Sequence, residues 1–137
     1  MDKGFNPIQQ FKDIKHAIEL LNEWKTKLGL FDWIIKIKIC EPHEMLLEDV
    51  DGECEYTAIT KSAIVRIIKP NYYGNRIIKY CAEEILVHEL LHCKFSLFDD
   101  EDKLEKLLHQ TINDIAKSFI CAKYNITNEW FSNITYD

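Results

Sequence analysis

Apolar residues recur at helical spacing in the first part of the chain. The stripe is formed by Ile8, Phe11, Ile14, Ile18, Leu21, Trp24 and Leu28. Steps of three and four residues predict an amphipathic helix from about residue 8 to residue 28. Pro7 lies near its start and Gly29 is well placed to end it. We expect this helix to cover the core and to carry no chemistry.

The middle of the chain has the alternating pattern of β-strands. Residues 32–40 alternate isoleucine with lysine in their second half, which predicts a half-buried strand. Two further strands are predicted at residues 54–60 and 63–68, and the second is almost entirely apolar or β-branched, as is typical of a central strand. The acidic residues 41–52, between the first and second predicted strands, predict a loop with a helical turn.

The helical period returns in the second half of the chain. One helix is predicted from about residue 77 or 80 to residue 97, and another from about residue 102 to residue 123. The expected buried stripe of the second is Leu104, Leu108, Ile112, Ile115 and Phe119. The order of one helix, a small sheet of three or four strands and two helices predicts an α+β fold.

The first of these two helices contains His88-Glu89-Leu90-Leu91-His92, which has the form H-E-x-x-H. Residues four apart share one face of a helix, so both imidazoles can reach a single metal ion. Glu89 would then take a proton from a zinc-bound water. The alternative is that both histidines serve only packing. The motif is expected by chance roughly 0.02 times in a chain of this composition, which favours the metal.

A catalytic zinc site needs three protein ligands and one position for water, so a third ligand must come from elsewhere. Glu105 and His109 both lie on the following helix, roughly 40° apart around its axis. His109 has apolar neighbours, whereas Glu105 stands among charged residues in an ordinary solvated setting. We therefore favour His109 as the third ligand, with Glu105 as the alternative or as a partner of the bound histidine.

Composition narrows the class of protein. The 137 residues fit one domain spanning residues 1–137, and 47% hydrophobic residues can form a core. A net charge of -6 disfavours nucleic-acid binding. Because no long apolar stretch and no signal peptide is visible, we expect a soluble, cytoplasmic protein without a membrane segment. The five cysteines are expected to be reduced thiols, and Cys93 beside His92 is expected to pack rather than to bind metal.

Two stretches of the chain resemble the small zincin-type metallopeptidases, especially the compact ones encoded by bacteriophages and prophages. The stretches are Val87-His88-Glu89-Leu90-Leu91-His92 and Gln110-Thr111-Ile112-Asn113-Asp114-Ile115-Ala116, with a weaker similarity in Leu28-Gly29-Leu30-Phe31-Asp32-Trp33. The resemblance implies zinc, peptide hydrolysis and a zincin-like fold with the sheet above the active helix. It also implies a third ligand at His109, just before the second stretch. The chain lacks the glycine-containing extension and Met-turn of metzincins, which excludes that group.

The resemblance also implies that an edge strand binds the substrate peptide as an added strand. We assign that role to residues 63–68, although a central position for this strand is equally compatible with its pattern. For the oxyanion, no spacing singles out one of Tyr72, Tyr73, Arg76 and Tyr80, and solvent-facing loop side chains are the competing interpretation.

Two functions therefore remain open. The first is a zinc-dependent peptidase with a peptide or protein substrate. The second is a non-catalytic zinc-binding interaction module on a zincin scaffold, in which Cys93 or Glu105 would close the site as a fourth ligand. A DNA-associated protease would need a basic surface, which this acidic composition does not suggest.

Overall fold

The computed structural model describes residues 10–70, 77–98 and 102–133. Its main elements are α1 (Ile14–Lys27), β1 (Ile34–Cys40), β2 (Gly52–Thr57), β3 (Ser62–Ile68), α2 (Ala82–Lys94) and α3 (Asp102–Tyr124). Short 3-10 helices lie at Pro42–Glu44, Ser96–Phe98 and Asn128–Phe131. The predicted α+β order of one helix, three strands and two helices is confirmed. None of the described helices is long and apolar enough to span a lipid bilayer.

Helix α1 begins at Ile14, so the prediction that it is already helical at Phe11 is wrong. Asp13 is extended and its side chain accepts a hydrogen bond from the backbone N–H of His16, which caps the helix here. Pro7 and Ile8 lie outside the described residues. The predicted end is confirmed, because Gly29 follows the helix with a φ of 71°.

The buried face of α1 is rotated from the predicted stripe. Ala17, Leu20, Leu21 and Trp24 are buried. Ile14 and Ile18, two members of the predicted stripe, are exposed. The sequence pattern contains enough apolar residues for either face, and contact with the rest of the core selects the face centred on Ala17 and Trp24.

The sheet has the strand order β1-β3-β2. β3 pairs in parallel with β1 and antiparallel with β2, so β3 is the central strand and β2 is an edge strand. Assigning the substrate-binding edge to residues 63–68 is therefore wrong, since both edges of that strand are already hydrogen-bonded. The predicted strand at residues 54–60 lies at Gly52–Thr57, which brings Gly52 into the sheet.

The two faces of the sheet differ in polarity. Val65 and Ile67 of β3 and Ile37 of β1 are buried in the core that the helices cover. On the opposite face Arg66 forms ion pairs with Glu53 and Glu55 at 3.0 and 2.9 Å. Glu53 also accepts hydrogen bonds from two loop backbone N–H groups, so the loop after β1 is anchored to β2.

Helix α2 is shorter than predicted, because residues 77–80 are not helical. Ile78 forms a β-bridge with Ser132 near the C-terminus, and Lys79 donates its backbone N–H to the Phe131 carbonyl. Tyr80 is buried and donates its hydroxyl to the Ile68 carbonyl at 2.6 Å. It therefore has a structural role and not the oxyanion role considered for it; Tyr72, Tyr73 and Arg76 lie outside the described residues.

The buried stripe of α3 matches the predicted one in part, since Ile112 is buried and Leu108 and Ile115 pack against the core. Ile112, Ala116 and Ile120 are fully buried at four-residue steps. Phe119, which the sequence assigned to the buried stripe, is 38% exposed and lies against Trp24 of α1. The small side chain of Ala116 permits a close approach of the helices. The predicted stripe contained only large apolar residues and therefore did not include this alanine.

Candidate metal centre

Three histidines from two helices converge at one end of the α2–α3 contact. His88 and His92 lie one turn apart on α2, and His109 faces them from α3. Each of the three offers a ring nitrogen, and these nitrogens lie within 4.8 Å of one another. The Nε2 atoms of His88 and His92 are 3.2 Å apart. The ring centroid of His109 lies 5.5 Å from that of His88 and 4.6 Å from that of His92.

The position of α2 explains why the pair on this helix is well fixed. The helix lies between the sheet and α3, and most of its residues are buried, including Leu86, Val87 and Leu90. Within α2, His88 and His92 are partly exposed and Lys94 at its end is exposed, while the other residues are buried. A buried helix holds its side chains with little freedom, which suits residues that must meet one ion.

Glu89 lies beside the histidines but faces into the protein. It is 6% exposed, and its Oε2 atom is 4.0 Å from Nε2 of His88. Burial, followed by repulsion from the carboxylate of Glu84, raises the pKa of Glu89 to about 8. A carboxyl group with such a pKa can hold or release a proton near neutral pH.

The ring of His88 is kept neutral by its surroundings. Burial, and then the positive charges that His92 and His109 can carry, lower the pKa of His88 to about 4. A side-chain hydrogen bond with Asn113 acts in the opposite direction. A neutral imidazole keeps a lone pair for a metal, and Asn113 lies one turn after His109 on α3. The sequence analysis assigned no role to Asn113.

The other two residues considered as ligands are placed differently. Glu105 is exposed and lines the same cleft, but it is not part of the group whose donor atoms lie within 4.8 Å. Cys93 is 1% exposed, and its Sγ atom lies 3.4 Å from Sγ of Cys54 on β2. Cys93 therefore packs against the sheet, as the sequence analysis expected.

The histidines open onto a cleft of about 760 Å³ between β2 and the two helices. Asp51 and the first five residues of β2, 52–56, line one side of this cleft. Leu46 and Leu47 extend this wall, while Glu105, His109 and Asn113 form the opposite one. The sequence analysis missed the role of β2 because its mixed polarity is typical of any edge strand.

Gly52 allows β2 to approach α2 closely. A Cβ atom at this position would lie 2.5 Å from Cγ2 of Ile85 and 3.1 Å from Oε2 of Glu89. The first distance is shorter than any ordinary carbon–carbon contact, so the strand can lie here only with glycine. Gly52 was predicted to lie in the loop at residues 41–52, whereas it begins β2.

The donor set fits a zinc ion. Neutral imidazole nitrogens are preferred zinc ligands, and three of them leave a fourth tetrahedral position for water or substrate. The three nitrogens lie within 4.8 Å of one another, close enough to be grouped around one ion. Glu89 is close enough to act on a molecule in the fourth position.

Comparisons of this chain with protein-family models, curated proteins and solved structures found no match. The fold and the geometry of the three histidines and Glu89 are therefore the basis for assigning a function.

Proposed function

We propose that this protein is a zinc-dependent peptidase with a zincin-like arrangement. The observation that carries the proposal is the convergence of His88, His92 and His109 beside the buried Glu89, at the floor of an open cleft. Three imidazole ligands with an adjacent carboxylate are one of the combinations that support metal-assisted hydrolysis.

The residues of the chain have separate tasks in this proposal. His88, His92 and His109 would hold zinc, which when bound supplies a Lewis acid that activates water and polarises a peptide carbonyl. Glu89 takes the proton of the attacking water on a carboxylate oxygen and passes it to the leaving nitrogen.

The edge strand β2 is the proposed binding site for the substrate backbone. One edge of β2 pairs with β3, and the strand lines the cleft over residues 52–56. An extended peptide can add to such an edge through backbone hydrogen bonds. The proposed substrate is therefore an unfolded segment or exposed loop of a polypeptide, bound with its scissile carbonyl near the histidines.

Peptide-library cleavage by the zinc-loaded protein tests this function. The wild-type protein is expected to cleave, chelation is expected to abolish cleavage, and His88→Ala is expected to lose both zinc and activity. Glu89→Gln is expected to retain zinc while losing activity, because the amide cannot accept the proton. Undiminished cleavage by Glu89→Gln would refute the mechanism.

The same zinc-loaded protein tests the interaction module as the competing function. A non-catalytic module requires four protein ligands and no exchangeable water. X-ray absorption at the zinc edge is expected to show three imidazoles and one light oxygen ligand. A fourth protein ligand, together with no cleavage of any library peptide, would favour the module.

A further inference from the structure

Two cysteines face each other across the contact between β2 and α2. The Sγ atoms of Cys54 and Cys93 are 3.4 Å apart, and both residues are thiols. Cys54 lies on the wall of the cleft and is partly exposed, whereas Cys93 is fully buried directly after His92. The pair therefore combines one thiol that solvent can reach with a second thiol close behind it.

The packing of the strand on the helix fixes this pair. Gly52 lies against Ile85 and Glu89, and Cys54, two residues further along β2, lies against Cys93. Ile85, Glu89 and Cys93 are spaced by four residues and share one face of α2. Two residues along the strand and four residues along the helix both span about 6 to 7 Å. The two thiols therefore meet, because the backbone of β2 lies close to α2.

We propose that Cys54 and Cys93 form a redox-modification site at which a hydroperoxide produces a disulfide. The Cys54 sulfur attacks a peroxide oxygen, so that the O–O bond breaks, a sulfenic acid forms and water or an alcohol leaves. The Cys93 sulfur then attacks the sulfenic sulfur, forming the S–S bond and releasing water. The two thiols lose two electrons and two protons, and the hydroperoxide accepts both.

A disulfide would change the cleft as well as the thiols. The sulfur atoms must approach from 3.4 Å to about 2.05 Å, which draws β2 towards α2. This link joins the strand that lines the cleft to the residue next to His92. The expected consequence for peptide hydrolysis rests on the proposed function: a displacement of about 1 Å near the reacting groups lowers the rate about tenfold or more.

The chemical part of the proposal is tested on the metal-free full-length protein treated with hydrogen peroxide. Intact mass is expected to fall by two hydrogen atoms, and peptide mapping is expected to find one Cys54–Cys93 crosslink that dithiothreitol reverses. Cys121→Ser is the matched control, because Cys121 is also partly exposed and should leave the crosslink unchanged. Cys54→Ser and Cys93→Ser should each abolish it. Sulfinic acid without a crosslink, or a crosslink to another cysteine, would overturn the proposal.

The functional part compares hydrolysis by the zinc-loaded protein before oxidation, after oxidation and after reduction. The wild-type rate is expected to fall about tenfold and to recover with reductant, whereas Cys54→Ser, which cannot form the sulfenic acid, is expected to show no recoverable loss. A crosslink that leaves the rate of peptide hydrolysis unchanged would refute the proposed effect of the disulfide on the cleft. A crosslink in a protein that never hydrolyses peptides would refute the peptidase and leave the redox site intact, so the two failures are distinguishable.

Discussion

Glu89 lies in an environment very different from the ordinary one of a carboxyl group. A carboxyl group that is 6% exposed loses most of its hydration, and the neighbouring Glu84 adds repulsion. These two effects raise the pKa of Glu89 to about 8. A group of this kind lowers the stability of the fold when it ionises, and sites that perform proton transfer commonly contain one.

This pKa predicts a pH dependence of the stability of the metal-free protein. Between the unfolded pKa of Glu89 near 4.5 and its folded pKa near 8, the folded state keeps a proton that the unfolded state has lost. Its contribution is complete below the unfolded pKa and is lost as the pH rises through 8. Since the lowered pKa of His88 acts in the opposite direction below about 6.5, the informative window is pH 6.5 to 8.

Urea denaturation in the presence of a chelator measures this effect. In that window the unfolding free energy of the wild-type protein is expected to fall by up to about 1.4 kcal/mol per pH unit. Glu89→Gln cannot ionise and is expected to lack this decrease. Equal slopes for the two proteins would contradict the assignment of the shifted pKa to Glu89.

At the scale of elements, the contact between β2 and α2 depends on the absence of a side chain at Gly52. A methyl group there would overlap Cγ2 of Ile85 and press on Glu89. Gly52→Ala is therefore expected to destabilise the protein by about 1–3 kcal/mol, because the strand or the helix must move. Chemical denaturation gives this difference.

A double-mutant cycle identifies the overlap as the cause. Ile85→Ala removes the γ carbon that the new methyl group would meet, at the expense of a cavity. The double variant Gly52→Ala/Ile85→Ala is expected to lose less unfolding free energy than the two single variants lose in sum. Strict additivity would show that Gly52 is required for a reason other than its distance from Ile85.

The sequence predicts local features of these elements better than their contacts. The H-E-x-x-H spacing fixes the relation of His88 to His92 because one helix contains both. The strand at residues 63–68 has a pattern compatible with either an edge or the centre, and only its pairing with β1 and β2 makes it central. The closeness of His109 likewise depends on how α3 lies on α2, and a helical stripe gives that rotation only coarsely, as the exposed Phe119 illustrates.

At the scale of the whole molecule, Glu83 joins the three helices. This α2 residue is 1% exposed and accepts hydrogen bonds from Nε1 of Trp24 at 2.6 Å and from Nζ of Lys123 at 2.7 Å. The hydroxyl of Tyr124 donates a third hydrogen bond to Glu83. This role of Glu83 was not predicted from the sequence, since its three partners lie 40 to 59 residues away on α1 and α3.

Glu83→Gln is expected to lower the unfolding free energy by about 2–4 kcal/mol, since Lys123 loses its buried counter-charge. Glu23→Gln is the control, because Glu23 bonds to the same lysine from a more exposed position. It is expected to lower stability by no more than about 1 kcal/mol. Thermal or chemical denaturation compares the two, and equal effects would contradict the role of Glu83 in joining the helices.

The central claim is that His88, His92 and His109 together bind zinc. Competition with a chromophoric chelator measures zinc affinity directly, and His109→Ala and Glu105→Ala form a matched pair, since both side chains are exposed on α3. His109→Ala is expected to weaken zinc binding by more than about 100-fold, while Glu105→Ala leaves it unchanged. Unchanged affinity in His109→Ala, or loss of zinc in Glu105→Ala, would contradict the three-histidine site.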